Sequence, residues 1–78
     1  MKTFVLYSTE HCHLCELAEQ VLVHTLDANK HQVEVEDIAN SDLLLARYGI
    51  RIPVLVDLHS KAELQWPFDV ESVQKFIG

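Results

Sequence analysis

Hydrophobic residues are spaced in two different ways along the first third of the chain, and each spacing predicts a different element. Residues 4–7 form a continuous apolar run, the pattern of a strand buried on both faces, so we expect this strand at the centre of a sheet. Beyond it, apolar residues recur at i, i+3, i+4 and i+7 spacing and predict a helix from about residue 12 to residue 28. Its inward stripe contains Leu14, Leu17, Ala18, Val21, Leu22, Thr25 and Leu26.

The middle of the chain predicts a second strand and a second helix. Apolar and charged residues alternate over residues 32–37, which is typical of a strand with one face in water and suits the edge of a sheet. Ser41 is predicted to cap a short helix that runs from Asp42 to Tyr48. Gly49 then offers a left-handed residue that would end the helix.

The last third of the chain predicts a hairpin followed by a helix. An apolar run over residues 52–56 and a second segment over residues 62–66 suit two antiparallel strands, and Asp69 is placed to cap a final helix. The inward residues of that helix are predicted to be Val70, Val73 and Ile77. With a right-handed parallel crossover between the first two strands, this order predicts an α/β fold in one domain, residues 1–78: a four-stranded mixed sheet with three helices on both faces.

Charge and terminal sequence narrow the possible partners and location. Twelve acidic residues against six Lys and Arg give a net charge of −6, which opposes binding to nucleic acid or to an anionic membrane. The apolar run near the N-terminus is too short for a signal peptide, and no run is long enough to span a membrane. We therefore expect a cytoplasmic monomer that binds neither nucleic acid nor membrane.

The two cysteines stand together as Cys12-His13-Leu14-Cys15, at the junction between the first strand and the first helix. Thiols at this spacing can close a small disulfide or share a metal, and a helix N-terminus stabilises a thiolate. Cys15 borders the inward stripe, whereas Cys12 lies where the chain is only entering the helix, so Cys12 should be the more exposed. In a cytoplasmic protein such a pair is more often catalytic or metal-binding than structural.

With Tyr7-Ser8 before the cysteine pair and Ile52-Pro53-Val54 after it, the chain resembles glutaredoxin-like proteins of the thioredoxin-fold superfamily over nearly all of its length. The resemblance implies a dithiol–disulfide oxidoreductase with a redox-active Cys12–Cys15 disulfide, in which Cys12 is the nucleophile and Cys15 the resolving thiol. It also implies that Pro53 is a cis-proline beside them, which would leave the backbone groups of Ile52 free to pair with a partner chain.

The resemblance implies a disulfide in a protein or small molecule as substrate, no bound cofactor, and an unidentified reductant for which glutathione is a candidate. Ile52 and Pro53 are the first candidate substrate contacts. His13 is added because it adjoins Cys12, and Trp66 because it and Phe68 could form an apolar docking surface; the alternative is that both aromatic rings fill the core.

The chain departs from glutaredoxins at positions that help to hold glutathione. Thr9 stands where many glutaredoxins have a lysine, and the segment before the last helix, residues 64–69, has no glycine pair. Trp66 is bulky there and Pro67 has no backbone N–H, so we do not carry over the full glutathione site. Only Asp69 matches the pattern in that segment.

Several alternatives stay open at this point. His11 and His13, if protonated, would favour a Cys12 thiolate, whereas the neighbouring Glu10 and Glu16 would oppose it. Two arginines, Arg47 and Arg51, either contact an anionic substrate or are simply solvated. The fold could also serve as a non-catalytic interaction module, or bind a metal or an iron–sulfur cluster through Cys12 in a dimer.

Overall fold

The computed structural model describes residues 2–78, and its elements follow the predicted order. A short 3₁₀ helix, Ile38–Asn40, is added between the second strand and the second α-helix. The fold class predicted from the sequence is confirmed. The strands are β1 (Lys2–Ser8), β2 (His31–Asp37), β3 (Val54–Asp57) and β4 (Glu63–Gln65), and the α-helices are α1 (His13–Thr25), α2 (Asp42–Tyr48) and α3 (Val70–Ile77).

Strand β1 lies inside a four-stranded sheet whose order is β2-β1-β3-β4. It pairs with β2 in parallel, with Ser8 opposite Asp37, and with β3 in antiparallel register, with Tyr7 opposite Val54. The predicted edge position of β2 and the predicted hairpin of the last two strands are both confirmed. Three chain positions therefore meet at one end of the sheet: the end of β1, the end of β2 and the beginning of β3. The cysteine loop leaves the sheet from this end.

Two hydrophobic clusters occupy the two faces of the sheet. On one face, Phe4 and Leu6 of β1 pack with residues of α1 and α3. On the other face, Tyr7 of β1 packs against a second cluster built from Ile38, Tyr48, Val54 and Val56. Side chains of a strand alternate between faces, so β1 contributes to both clusters and is buried on both sides, as its apolar run predicts.

Helix α1 begins where it is predicted, with Cys12 as its N-cap, but it ends earlier than predicted. It ends at Thr25 rather than at residue 28, because Leu26 adopts an extended conformation and Asp27 begins a turn in which its carbonyl accepts from the backbone N–H groups of Lys30 and His31. The predicted inward position of Leu14 is wrong, since this side chain is 45% exposed. It stands in the first turn of α1, ahead of the buried residues of the helix, which are Cys15, Ala18 and Leu22.

Gly49 ends α2 without the predicted left-handed conformation. Its φ of −49° and ψ of −38° are right-handed helical values, and its N–H still donates to the carbonyl oxygen of Leu45. The chain continues in right-handed turns, because the N–H groups of Arg51 and Ile52 both donate to the carbonyl oxygen of Tyr48. Close approach explains the glycine instead: a Cβ here would stand 2.5 Å from the oxygen of Leu45.

The predicted caps of the two later helices are present. The hydroxyl of Ser41 accepts from the backbone N–H of Leu44, and Asp69 accepts from the N–H of Ser72 in a reciprocal capping box. Val70 is exposed rather than inward, because it is the first residue of α3. Among residues 2–78 no helix combines the length and the apolar character that crossing a membrane requires.

We expect Leu6→Ala to lower the free energy of unfolding by about 2–5 kcal/mol, because truncating this fully buried side chain leaves a cavity against α1 and α3. Urea unfolding followed by circular dichroism measures the change. Val23→Ala is the control, since the side chain of Val23 is 78% exposed, and its effect should stay within about 0.5 kcal/mol. Equal effects of the two substitutions would contradict the central position of β1.

Candidate functional site

The cysteine pair lies at the edge of the sheet where β1 ends. The chain leaves Ser8, turns through His11, which has a left-handed φ of 59°, and enters α1 after Cys12. The sulfur atoms of Cys12 and Cys15 are at bonding distance and form a disulfide, with 5.2 Å between the two Cα atoms. That Cα separation is within the range of ordinary disulfides. The sequence places the pair at the end of a central strand, and the structure agrees.

Cys12 is the N-cap residue of α1. Its sulfur accepts a hydrogen bond from the backbone N–H of Cys15 at 3.2 Å, and its carbonyl oxygen accepts from the N–H of Glu16 at 3.1 Å. A sulfur in this position replaces the oxygen of the usual Ser, Asp or Asn cap. When the disulfide is reduced, the same N–H group and the positive end of the helix dipole would stabilise a thiolate on Cys12.

The two sulfur-bearing residues differ in exposure, as their places on the helix predict. Cys15 is only 3% exposed and lies near Ala18 and Leu22 on the buried side of α1, whereas Cys12 is half-buried and reaches the surface. A partner molecule can therefore approach Cys12 more easily than Cys15. The roles of nucleophile and resolving thiol stay predictions that agree with this geometry.

Pro53 follows a cis peptide bond from Ile52, as the resemblance implies, and its ring is fully buried. Val54, the next residue, pairs with Tyr7, so Pro53 lies at the edge of the sheet from which the cysteine loop leaves. Trp66 is held at the same edge, because its backbone N–H donates to the carbonyl oxygen of Pro53 at 3.2 Å. The fold thus brings Ile52, Pro53 and Trp66 to one side of the cysteine loop, but the buried ring of Pro53 offers a substrate no exposed surface.

The prediction that both backbone groups of Ile52 are free is wrong for one of them. The N–H of Ile52 donates to the carbonyl oxygen of Tyr48 at 3.2 Å, because the turn after α2 carries its hydrogen bonds up to this residue. The carbonyl oxygen of Ile52 accepts no hydrogen bond from residues 2–78. Within this chain, Ile52 therefore offers a partner one acceptor rather than a donor and an acceptor.

The two aromatic side chains that follow β4 have different surroundings. Phe68 is buried in the core cluster under α3, so it is unable to form part of an exposed docking surface. Trp66 packs on the same cluster with its ring edge-on to Phe68, at 5.1 Å between ring centroids, yet stays partly exposed. A second cis bond, Trp66–Pro67, which the sequence analysis does not anticipate, lies between them. Of these two aromatic residues, only Trp66 remains a candidate substrate contact.

His13 points into solvent in the first turn of α1. Its Nδ1 lies 3.8 Å from Oε2 of Glu16, and both side chains are well exposed. Its role as a substrate contact stays a prediction. In the part of the chain from residue 2 onward, no three His, Cys, Asp or Glu side chains are grouped so that they could hold a metal ion.

Arg47 and Arg51 are not free cations. Both guanidinium groups lie over the ring of Tyr48, at 5.4 and 5.2 Å from its centroid, and both form ion pairs with Glu63. The ring of Tyr48 in turn stacks on that of Tyr7 at 4.4 Å. These side chains join α2 to β1 and β4, so their first role is structural.

The same cluster shifts two pKa values. The hydrogen bond from Arg51 lowers the pKa of Glu63, and the nearby Tyr48 hydroxyl and Arg47 contribute in the same direction against a smaller effect of burial. Burial, followed by the hydrogen bond to Glu63, raises the pKa of Tyr48. Glu63 therefore stays ionised and Tyr48 stays neutral over a wider pH range than usual.

A polar groove beside the disulfide was not predicted from the sequence. It has a volume of about 280 Å³ and lies between the start of α1 and the end of β2. The signal that could have revealed it is the parallel register, which sets Asp37 opposite Ser8 and so adds an acidic residue of β2 to those that flank the cysteines. The acidic residues that line it are Glu10, Glu16, Glu19 and Asp37.

The comparisons with known proteins agree with this arrangement. The family model described as "Glutaredoxin-like domain (DUF836)" matches residues 3–78. The crystal structure of protein XcR50 from X. campestris is similar with a TM-score of 0.83 and 32% identity, over 95% of this chain and 93% of that one. The solution structure of protein Ne2328 from Nitrosomonas europaea has a TM-score of 0.70 and 25% identity, over 96% of this chain and 89% of the other. No curated protein matches with comparable significance.

We expect Glu63→Gln to lower the free energy of unfolding by about 1–2 kcal/mol at neutral pH, because it removes a charged partner from Arg51 and Tyr48. A carboxylate whose folded pKa is depressed adds stability above its unfolded pKa of about 4.3, and that stability is lost as the pH falls through the folded value. The difference between wild type and variant should therefore shrink below about pH 4.

Urea unfolding at a series of pH values measures this convergence. Glu71→Gln is the matched control, because Glu71 forms only an exposed pair with Lys75 on α3. It should change the free energy of unfolding little at any pH. A Glu63→Gln effect that is equally large in acid and at neutral pH would show that the ion pair does not stabilise the fold.

Proposed function

Because the chain belongs to the Glutaredoxin-like domain (DUF836) family, we propose that it is a dithiol–disulfide oxidoreductase in which Cys12 is the nucleophile and Cys15 the resolving thiol. Its substrate would be a disulfide in a protein or a small molecule. The observation that carries the proposal is the position of the Cys12 sulfur as the N-cap of α1, where it accepts the N–H of Cys15 and lies at bonding distance from the Cys15 sulfur.

The reaction would proceed in two exchange steps. The Cys12 thiolate attacks one sulfur of the substrate disulfide, the substrate S–S bond breaks, and the other sulfur leaves as a thiolate that takes a proton from solvent. Cys15, once deprotonated, then attacks the Cys12 sulfur, forms the Cys12–Cys15 disulfide and releases the second substrate thiol. Two electrons pass from the cysteine pair to the substrate, and the reverse sequence would oxidise a dithiol.

The unequal exposure of the two thiols supports this division of roles. A partner disulfide must meet the attacking sulfur at the surface, and Cys12 is the residue that reaches it. Cys15 is 3% exposed, so its attack would be directed at the adjacent mixed disulfide rather than at a second partner. The helix N-terminus favours the thiolate form at Cys12, which is the form that attacks.

The substrate would lie along the edge that carries Ile52, Pro53 and Trp66. An extended segment could donate a backbone N–H to the free carbonyl oxygen of Ile52 and pack against the exposed part of the Trp66 ring. His13 is exposed beside Cys12 and would contact the leaving part of the substrate. The proposal uses Ile52, Trp66 and His13 for binding, with the buried Pro53 as support for this surface, and leaves the covalent chemistry to the two cysteines.

The pair would act without a resident cofactor and would be returned to the dithiol form by an external thiol. Glutathione is the candidate reductant, although the absence of a glycine pair and the bulk of Trp66 argue for contacts unlike those of ordinary glutaredoxins. We propose that the protein acts as a monomer in the cytoplasm, where the thiol pool is reducing enough to recycle such a disulfide.

Trapping distinguishes the two thiols. A reduced Cys15→Ser variant treated with bis(2-hydroxyethyl) disulfide should accumulate a stable mixed disulfide on Cys12, because the resolving thiol is gone. A Cys12→Ser variant should form at least about tenfold less adduct over the same time, since its remaining thiol is buried. Intact-mass spectrometry after acid quenching counts the adduct. Equal trapping by both variants, or none by either, would contradict the assigned roles.

The reduction potential separates a catalytic pair from a passive interaction module. Equilibration in thiol–disulfide buffers, with the fraction of free thiol read after alkylation, should give a midpoint of about −200 to −270 mV. A catalytic pair should also equilibrate within the time of mixing experiments. A pair that exchanges with no small disulfide would remove the enzyme proposal and favour the interaction module.

A further inference from the structure

Four carboxylates surround one side of the disulfide. The acidic groove, which we define by Ser8, Glu10, Glu16, Glu19 and Asp37, borders both cysteines directly. Its lining also includes Thr9, His11 and Val35, so four carboxylates face one imidazole, and among residues 2–78 no Lys or Arg lines it. A concave surface lined by one sign of charge raises the local concentration of molecules of the opposite sign.

The carboxylates of this groove are mostly free to meet a ligand. The carboxylates of Glu10 and Glu19 form no hydrogen bond or ion pair with any group among residues 2–78. Asp37 uses one oxygen to accept the backbone N–H of Ala39, and Glu16 lies at 3.8 Å from the exposed His13. Most carboxylate oxygens of the groove are therefore available to accept hydrogen bonds from a ligand.

Ser8 gives an independent sign that the groove takes a polar ligand. This residue is 7% exposed and lines the groove, yet its hydroxyl forms no hydrogen bond with residues 2–78. No side-chain oxygen that is sealed from solvent lacks a partner among residues 2–78, so the unpartnered Ser8 oxygen keeps some accessible surface, and Ser8 lines the groove. An ammonium or guanidinium N–H would supply a donor to the Ser8 oxygen and a positive charge to the carboxylates around it.

The Lys and Arg side chains of residues 2–78 do not line this groove. Lys2 pairs in the sheet with His31, at the far end of β1, and its ammonium group donates to the carbonyl oxygen of Ile77. Both arginines are held by Glu63, as described above. The remaining cations are Lys30, Lys61 and Lys75, which stand before β2, in the turn between β3 and β4, and in the last turn of α3.

The groove lies on the opposite side of the cysteines from Pro53. Strands β2 and β3 flank β1, so Asp37 at the end of β2 and Pro53 before β3 stand on different sides of the loop that begins at Ser8. A substrate that reaches Cys12 over the Pro53 side therefore extends its other flank over the carboxylates. The sign of charge on that flank should change the rate of reaction.

Taking the proposed function as given, we propose that the acidic groove selects disulfides with a positively charged group, ammonium or guanidinium, next to the reacting sulfur. The partner it fits is a cysteine flanked by Lys or Arg in a protein, or a small disulfide that carries an amine. The same carboxylates would slow the reaction of anionic disulfides. The groove thus acts before the exchange step and does not alter its balance: one substrate disulfide is reduced to two thiols and the Cys12–Cys15 dithiol is oxidised.

Three small disulfides that differ in charge test this selection. Cystamine carries two ammonium groups, bis(2-hydroxyethyl) disulfide is neutral, and 3,3′-dithiodipropionate carries two carboxylates. The reduced wild-type protein is mixed with each, and the rate of Cys12–Cys15 oxidation is divided by the rate of dithiothreitol with the same disulfide. The division removes differences in the intrinsic reactivity of the three disulfides.

We expect the normalised rate with cystamine to exceed that with the dianion by at least about tenfold at low salt, because electrostatic focusing changes association rates by this order. Near 1 M salt, where screening reaches about 3 Å, the ratio should fall to a small value. In the double variant Glu10→Gln/Glu19→Gln the low-salt ratio should fall by at least about threefold. Glu34→Gln/Glu36→Gln is the matched control, because it also removes two exposed charges, here from β2 outside the groove, and it should leave the ratio unchanged.

Each outcome bears on one proposal. Oxidation of the pair by the neutral disulfide, with equal normalised rates for all three probes, would overturn charge selection and leave the oxidoreductase proposal intact. A charge preference that survives in the Glu10→Gln/Glu19→Gln variant would also overturn it, because the preference would not come from the groove. No reaction with any of the three disulfides, while dithiothreitol reacts with each, would instead remove the proposed function.

Discussion

The burial of β1 on both faces is the constraint on which the rest of the structure depends. Phe4 and Leu6 hold α1 and α3 on one side, and Tyr7 holds the second cluster on the other. Neither helical layer is anchored without this strand, because it supplies residues to both clusters and pairs with two neighbours. Its end is therefore a fixed point of the fold, and the cysteine loop begins there. A reactive group gains from such support, since its geometry is set by a packed core.

At the start of α1, which follows this fixed point, the two sulfur atoms have different surroundings. Cys12 is the cap, so it precedes the helix and stays at the surface, whereas Cys15 lies one turn further on and enters the core beside Ala18. One helix turn thus gives the two cysteines different solvent exposure, although their sulfur atoms are close enough to form a bond. The same turn supplies the N–H group that the Cys12 sulfur accepts. One local element accounts for both the unequal exposure and the hydrogen bond.

Features that depend on local spacing could be predicted from the sequence, and those that depend on packing between distant segments could not. The apolar run of β1, the caps at Ser41 and Asp69, and the exposure of Cys12 relative to Cys15 all follow from neighbouring residues. The left-handed conformation that the sequence predicts for Gly49 is wrong, because hydrogen bonds to Tyr48 continue the right-handed turn beyond it. Predicting the acidic groove requires the register of β1 with β2, and predicting the burial of Phe68 requires the packing of α3. The spacing of residues along the chain gives neither.

The two sides of the cysteine loop differ in the kind of contact they can make. On the Pro53 side, the carbonyl oxygen of Ile52 and part of the Trp66 ring face a partner. Such groups can bind extended segments of many different sequences. On the groove side, four carboxylates and Ser8 line the surface, so the charge of a partner would matter there. Attack at sulfur requires a thiolate and an accessible disulfide, which many proteins provide, so the chemistry alone confers little selectivity. Selectivity must therefore come from the groups beside Cys12, and the groove is the side on which those groups carry charge.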